Sequence, residues 1–413
     1  MIKPSTPPAL CELEKVEGPA PGMLNPPGQT RALVRTGDLI GSAEFLLVTL
    51  AATLIPVSLL WDFSWESTIG VDRFWSPPHL ATHIGVWLSG LLAVRLIFVF
   101  TAARRQDGAL AGVHIGPLCG PAGVWILFWA AATLQAALLL DNWWQRAYGL
   151  GAGLWHPPQI LKAVGFFALL FGGVMLGAGN LSKVSARTGA GAAFLAWHGG
   201  LLLTMCALVL MMTNYPNLQH TATFYLVSSA IYPAVLLGVG RPSHPRWGAT
   251  GVALVYTAIL GAMVWLLPRF PAHPLTPPIH NPADHMMPPP FPLLLVLPAL
   301  VLDRLVARPV AGRSFLGQLL LAGAAGVAFL ATFLPSQWFF ARFLLSPAAD
   351  NWFFAGGGRH WPFFLKIDQA RIMFWGMKQD PLTFGMALLA ALAAAASAWI
   401  GLRVAAWLTG LRR

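Results

Sequence analysis

A chain of 413 residues with 56% hydrophobic and only 10% charged residues cannot cover itself as a soluble globule, which carries roughly 25% charged residues, so lipid must clothe much of it. The net charge of +11 would suggest nucleic acid in a soluble protein. Here the basic residues lie mainly in short connections between apolar runs, where they serve as topology signals and headgroup contacts, and a nucleic-acid partner is excluded.

Residues 1–37 are polar and Pro-rich with no apolar core, so they read as a disordered cytoplasmic tail rather than a signal peptide. Residues 38–413 read as one polytopic membrane domain. A span needs ~20 mostly apolar residues. The predicted spans run from about Ile40 to Leu60, Leu80 to Phe100, Ala122 to Leu140, Gln159 to Gly179 and Ala192 to Met212. They continue from about Thr223 to Val239, Gly248 to Leu267, Phe291 to Val306, Phe315 to Leu334 and Leu382 to Leu408. Every second connection carries paired basic residues, such as Arg104–Arg105 and Arg412–Arg413, whereas the others carry Trp, Pro, His and acids. The positive-inside rule then places both termini in the cytoplasm of a bacterial inner-membrane protein with about ten spans. The segment 335–380 contains apolar stretches too short to span and reads as amphipathic helices at the outer interface. The three cysteines, Cys11, Cys119 and Cys206, form neither a disulfide framework nor a CxxC motif.

The first four spans read as two tandem hairpins, 40–100 and 122–180, in the same orientation. Their connections share an ordered set of residues. Asp62, Trp65, Gly70, Trp75, Pro77 and Pro78 in the first match Asp141, Trp144, Gly149, Trp155, Pro157 and Pro158 in the second. Pro suits the first turn of a returning helix, where its missing N–H has no partner to lose. Gly permits a turn with positive φ, the Trp pair anchors at the interface, and Asp caps or neutralises a helix N-terminus.

Four residues of the first copy are left over by that account: Glu66, Asp72, His79 and His83. His79 and His83 are one helical turn apart, and two such histidines with a carboxylate can hold zinc, copper or iron given a further ligand. The loop PAHPLTPPIHNPADHMMPPPF adds His280 and His285, with Asp284, Met286 and Met287, a set that suits copper. His198 is the clearest ionisable residue within a span, with Gln135 and Gln318 as expected partners. Arg95, Arg304 and Lys162 lie near span ends and are expected to snorkel. No phosphate-binding loop, dinucleotide fingerprint, HExxH or GxSxG occurs, and no pattern names a reaction.

The D-x2-W…W-x-P-P-H hairpin, the 285–305 stretch HMMPPPFPLLLVLPALVLDRL and the 346–357 stretch SPAADNWFFAGG resemble a group of bacterial multipass membrane proteins with no known activity. The resemblance covers most of the chain beyond residue 37 and implies a fold without an activity. The expected function is that of an integral subunit or accessory factor of a membrane complex, with protein partners or self-association, and with copper or zinc as the candidate metal on the outer face. A transporter or channel built on the tandem repeat and a metal-dependent membrane enzyme are the alternatives.

Overall fold

The computed structural model of the chain describes residues 39–70, 73–107, 112–149, 156–180, 189–275, 283–307, 314–356 and 380–411. The described residues form an all-α membrane protein with one small β-hairpin. The helices are α1 (Ser42–Thr68), α2 (Pro77–Asp107), α3 (Ala122–Tyr148), α4 (Pro157–Asn180) and α5 (Ala190–Val209). They continue as α6 (Ala222–Ser243), α7 (Gly248–Leu266), α8 (Val296–Leu305), α9 (Phe315–Leu344) and α10 (Phe384–Gly410). The hairpin pairs β1 (Val113–Ile115) with β2 (Leu118–Gly120). Among the described residues, nine helices are long and apolar enough to cross a membrane. The tenth, α8, covers ten residues, about 15 Å, and falls short of the ~30 Å hydrocarbon core. The expected span over Phe291–Val306 is therefore not a continuous helix.

Helix α1 packs on α2, α3 on α4, and α2 on α3, which builds the N-terminal half from two adjoining hairpins. Helix α5 joins this half to the rest by packing on α1 and α4 as well as on α6 and α7. The largest helix–helix contact is between α6 and α10, and α9 lies along α10. Large apolar side chains such as Leu50, Ile84, Phe98, Leu320 and Leu392 remain exposed around the outside, as lipid-facing residues would be.

Small residues let the helix axes approach. A methyl added to Gly326 would stand 2.3 Å from the Ala395 nitrogen, so α9 and α10 touch backbone to backbone there. Hydrogen bonds stitch the same layers: Ser58 to Thr82 at 2.8 Å between α1 and α2, and Trp197 Nε1 to Thr53 Oγ1 at 2.8 Å between α5 and α1. Pro233 interrupts the α6 ladder, and the next amide, Ala234 N, donates to Ser397 Oγ on α10 at 2.9 Å. Other interior hydroxyls, such as Ser89 and Thr204, bond the carbonyl four residues back in their own helix, since hydrocarbon offers no partner.

The hairpins differ in one respect from expectation. Asp62 and Trp65 lie inside α1, and Asp141 and Trp144 inside α3, because both outgoing helices run several residues further than their apolar stretches. The turn glycines do take positive φ, 117° at Gly70 and 91° at Gly149, and the Pro pairs open α2 and α4. Likewise residues 335–344 continue α9 through Pro335 and do not form a separate interfacial helix. At 30 residues, about 45 Å, α9 outreaches the hydrocarbon core. Residues 357–379 of the expected interfacial segment, and the 1–37 tail, lie outside the described residues.

Candidate functional site

The Asp–His pairs, the buried amides and an aromatic cluster gather at one end of the bundle, opposite the end where α1 begins and α10 finishes. This far end holds the turns after α1, α3, α5 and α7, the segment 283–295 and the turn 347–356.

At the first hairpin, α1 carries Asp62 over the start of α2. His79 Nε2 lies 3.4 Å from Asp62 Oδ2, and His79 Nδ1 lies 3.0 Å from the Arg73 carbonyl oxygen. Both ring nitrogens therefore face acceptor oxygens, one from the carboxylate and one from the backbone. His83 turns elsewhere. It is buried between the rings of Phe74 and Trp75, with centroids at 4.9 and 5.6 Å, and its Nδ1 meets Gln135 Oε1 of α3 at 3.4 Å. The two histidines share a helix but do not converge. Glu66 is exposed on the last turn of α1, and Asp72 lies outside the described residues.

The second hairpin repeats the pairing with different residues. Asp141 accepts from Lys162 Nζ at 2.7 Å and Gln145 Nε2 at 3.1 Å, and its Oδ1 lies 3.5 Å from His156 Nε2. Trp144 stacks on His156 with centroids 5.9 Å apart. In both hairpins the repeated Asp therefore faces a cationic or histidine side chain at or beside the start of the returning helix. Lys162 ends on Asp141 rather than reaching toward headgroups. Trp75 is exposed as an interface anchor would be, whereas Trp65 is half-buried against the core and the Trp144 indole nitrogen is buried. Trp155 lies outside the described residues.

The segment 283–295 supplies what the sequence concealed. His285 pairs with Asp284 at 2.7 Å, and residues 284–286 bridge to Phe270–Ala272. From Met286 the chain runs extended and mostly buried into the bundle, then turns into α8. An extended backbone at this depth would ordinarily strand its N–H groups. Four positions avoid this by being proline: 288, 289, 290 and 292. Met286 N bonds the Phe270 carbonyl at 2.9 Å, and Met287 N bonds Thr68 Oγ1 at 3.0 Å. Leu293 N bonds Tyr256 Oη at 3.1 Å, and Leu294 N bonds Gln337 Oε1 at 2.8 Å. Met286 and Met287 are both buried.

Gln337 links this segment to the connection after α5. Its Nε2 donates to Gln219 Oε1 at 2.7 Å, Gln219 Nε2 donates to the Asn214 carbonyl at 2.6 Å, and Asn214 Nδ2 donates to the Ala207 carbonyl at 3.0 Å. Asn214, Tyr215, Asn217, Gln219 and His220 are all buried, and burial pushes the Tyr215 phenol well above its ordinary pKa. Above them sits an aromatic cluster in which Phe291 contacts Phe340, Phe353 and Phe354 at centroid distances of 5.6, 6.1 and 5.3 Å. Sequence reading passed over this amide knot. Its signal is the density of amide and aromatic residues in NYPNLQH, between two strongly apolar spans.

His198 is fully buried, and its Nδ1 bonds the Phe194 carbonyl of its own helix at 2.9 Å. Its ring lies against Gly173 of α4, where a methyl would stand 2.3 Å from Cδ2. The ring thus sits at the contact of α5 with α4, its Nε2 is buried without a hydrogen-bond partner, and Gln135, its expected partner, meets His83 instead. Arg95 does not snorkel alone but binds Glu44 Oε1 at 2.6 Å. At the near end, Asp303 accepts from Ala249 N at 3.0 Å, Thr250 N at 2.8 Å and Thr250 Oγ1 at 2.7 Å, capping α7 from α8. Arg304 lies 5.1 Å over the Trp247 ring, and Arg241 Nη1 donates to the Val306 carbonyl at 2.7 Å.

Among the described residues, no three His, Cys, Asp or Glu side chains come together as a metal-binding group. Of the six residues expected to bind copper or zinc, Asp72 and His280 lie outside the described residues. His79 and His83 point to different partners, and His285 is engaged with Asp284. No protein-family model, curated protein or solved structure matches this chain.

Proposed function

We propose that this multi-pass membrane protein is an integral subunit or accessory factor of a bacterial inner-membrane complex, with both termini cytoplasmic and its far end presented outward to a partner. The observation that carries the reading is the division of labour along the bundle. The helices are joined through most of the bilayer by small-residue and apolar contacts, while Asp–His pairs, the amide knot and the aromatic cluster rigidify one end. Such a surface is preorganised for docking. The orientation rests on the basic residues Arg104, Arg105, Arg241, Arg246 and Arg304 at the other end. The test is extraction of the tagged protein from native membranes without detergent, with in-membrane cross-linking from single cysteines placed at the exposed positions 73 and 350. Stoichiometric products with one partner, lost when Trp352 and Trp75 are both replaced by Ala, are expected. A cross-link-free, monodisperse species would refute the reading.

A second reading, a transporter or channel, is favoured by the discontinuous segment 286–305, since broken spans form substrate sites in many transporters. Proteoliposomes with no substrate-dependent flux across a panel of ions and small metabolites would dispose of it.

A further inference from the structure

Helices α9 and α10 meet backbone to backbone at Gly326 and Ala395, and toward the far end a wedge opens between them. It forms a groove of about 250 Å³, lined by Val327, Leu330, Ala331, Leu334 and Pro335 of α9 and Ala391 of α10. The short side chains of Ala331, Pro335 and Ala391 leave it unfilled. Val327 is 56% exposed at its rim, so the groove opens sideways to lipid. On the inner side Tyr225 of α6, fully buried, donates to the Leu334 carbonyl at 3.2 Å.

The dimensions select the occupant. From Val327 to Pro335 the helix rises about 12 Å, so 250 Å³ corresponds to a section of about 20 Å², roughly 5 Å across. A transmembrane helix, about 10–12 Å in diameter with its side chains, does not enter such a groove, whereas a single methylene chain does. All six lining residues are apolar, and an unfilled wedge forfeits dispersion contacts along both walls, so the hydrocarbon of the bilayer fills it. The mouth adds a headgroup contact. At 30 residues, about 45 Å, α9 matches the whole bilayer with its headgroups, about 40–45 Å, which sets Arg342 near its end at headgroup level. Arg342 is exposed and lies two turns beyond Pro335 on the same face of α9, with the exposed Phe339 between them. Its guanidinium carries five N–H donors in a fork that suits phosphate, enough to hold one beside any other contact. We propose that this groove is a phospholipid site: one acyl chain from the far-end leaflet lies along Val327–Pro335, and the phosphate of the same lipid pairs with Arg342. Basic residues between or beside membrane helices recognise lipid headgroups in this way.

The full-length protein in nanodiscs of phosphatidylglycerol, doped with diacylglycerol of the same chains, provides the test. Native mass spectrometry after release should show one phosphatidylglycerol retained per chain, preferred over diacylglycerol by about tenfold, the worth of one charge-assisted contact. Arg342→Gln should abolish that preference, and filling the groove with Ala331→Phe and Ala391→Phe together should lose both lipids. A cryo-EM map of the wild type should show a rod of density one chain wide along Val327–Pro335, leading to Arg342, and this map decides the matter should a variant fail to fold. An empty groove would overturn the proposal, as would lipid retention that neither set of substitutions alters. Equal retention of phosphatidylglycerol and diacylglycerol would overturn the phosphate contact and with it the site. Density of helical girth from a copurifying protein would overturn it in favour of a protein partner within the membrane.

Discussion

Replacing Asp303 with Ala should be among the most damaging single changes outside the bilayer-facing surface. The carboxylate is 4% exposed and holds three donors on α7: two backbone amides and the Thr250 hydroxyl, at 2.7–3.0 Å. The first amides of a helix have no partner within it, and those at α7 face another helix rather than water. Removing the acceptor leaves three buried donors, each at about 1–3 kcal/mol, so Asp303→Ala should cost roughly 3–6 kcal/mol after partial relaxation. Asp303→Asn retains one acceptor oxygen and should cost about half as much, and Thr250→Val, which removes a single bond, about 1–2 kcal/mol. The measurement is the unfolding free energy by steric trapping in bicelles, with all three variants side by side. An Asp303→Ala protein within about 0.5 kcal/mol of wild type would refute the cap as a stabilising device and with it the placement of α8 against α7.

Gly326→Val should separate α9 from α10, because even a methyl at that position meets the Ala395 nitrogen at 2.3 Å. A loss of about 1–3 kcal/mol or more, seen as reduced monodisperse yield and a lower unfolding midpoint, is expected, and Gly326→Ala should already show part of it. Gln337→Leu strands Leu294 N and Gln219 Oε1 together, at roughly 2–5 kcal/mol, and adding Gln219→Leu should cost less than the second change does alone. Burial holds the Tyr215 phenol neutral in the folded protein well above the pH at which an unfolded tyrosine ionises, about 10. Its folded pKa is raised, so its contribution is constant below that pH, and stability falls as pH rises through it. In unfolding measurements from about pH 8 to 11, Tyr215→Phe should flatten this alkaline decline relative to wild type and leave the neutral region parallel.

The parts of this fold legible in the sequence are those fixed within a few residues. Pro77–Pro78 and Pro157–Pro158 start helices, and Gly70 and Gly149 turn with positive φ, because those requirements are local to the backbone. The apolar runs identified nine of the ten expected spans. The eighth was misjudged because composition cannot separate a helix from an extended chain when both are apolar. What holds residues 286–295 extended is Tyr256 and Gln337, 37 and 43 residues distant. Asp62 and Asp141 fall beyond the apolar runs and so read as loop residues, whereas both lie in helices and face His79 and Lys162 across the hairpin. The amide knot at Asn214–His220 escaped notice because it reads as an ordinary loop until Gln337 and the turn 347–356 bury it.

The broken eighth segment also constrains how the protein can be made. A helix of ten residues preceded by an extended, proline-rich stretch is a poor substrate for insertion on its own, since the helix is too short to span and the extended part cannot satisfy its backbone in lipid. Its amide partners sit on α1, α7 and α9, so it can settle only after Thr68 and Tyr256 are in the membrane and once Gln337 has emerged. The last of these lies more than 40 residues further along the chain. Synthesis must therefore pass through a stage in which α7 is inserted while residues 286–305 wait, so ribosome-bound chains halted shortly after residue 306 should expose this segment to protease and lose that sensitivity once α9 is complete.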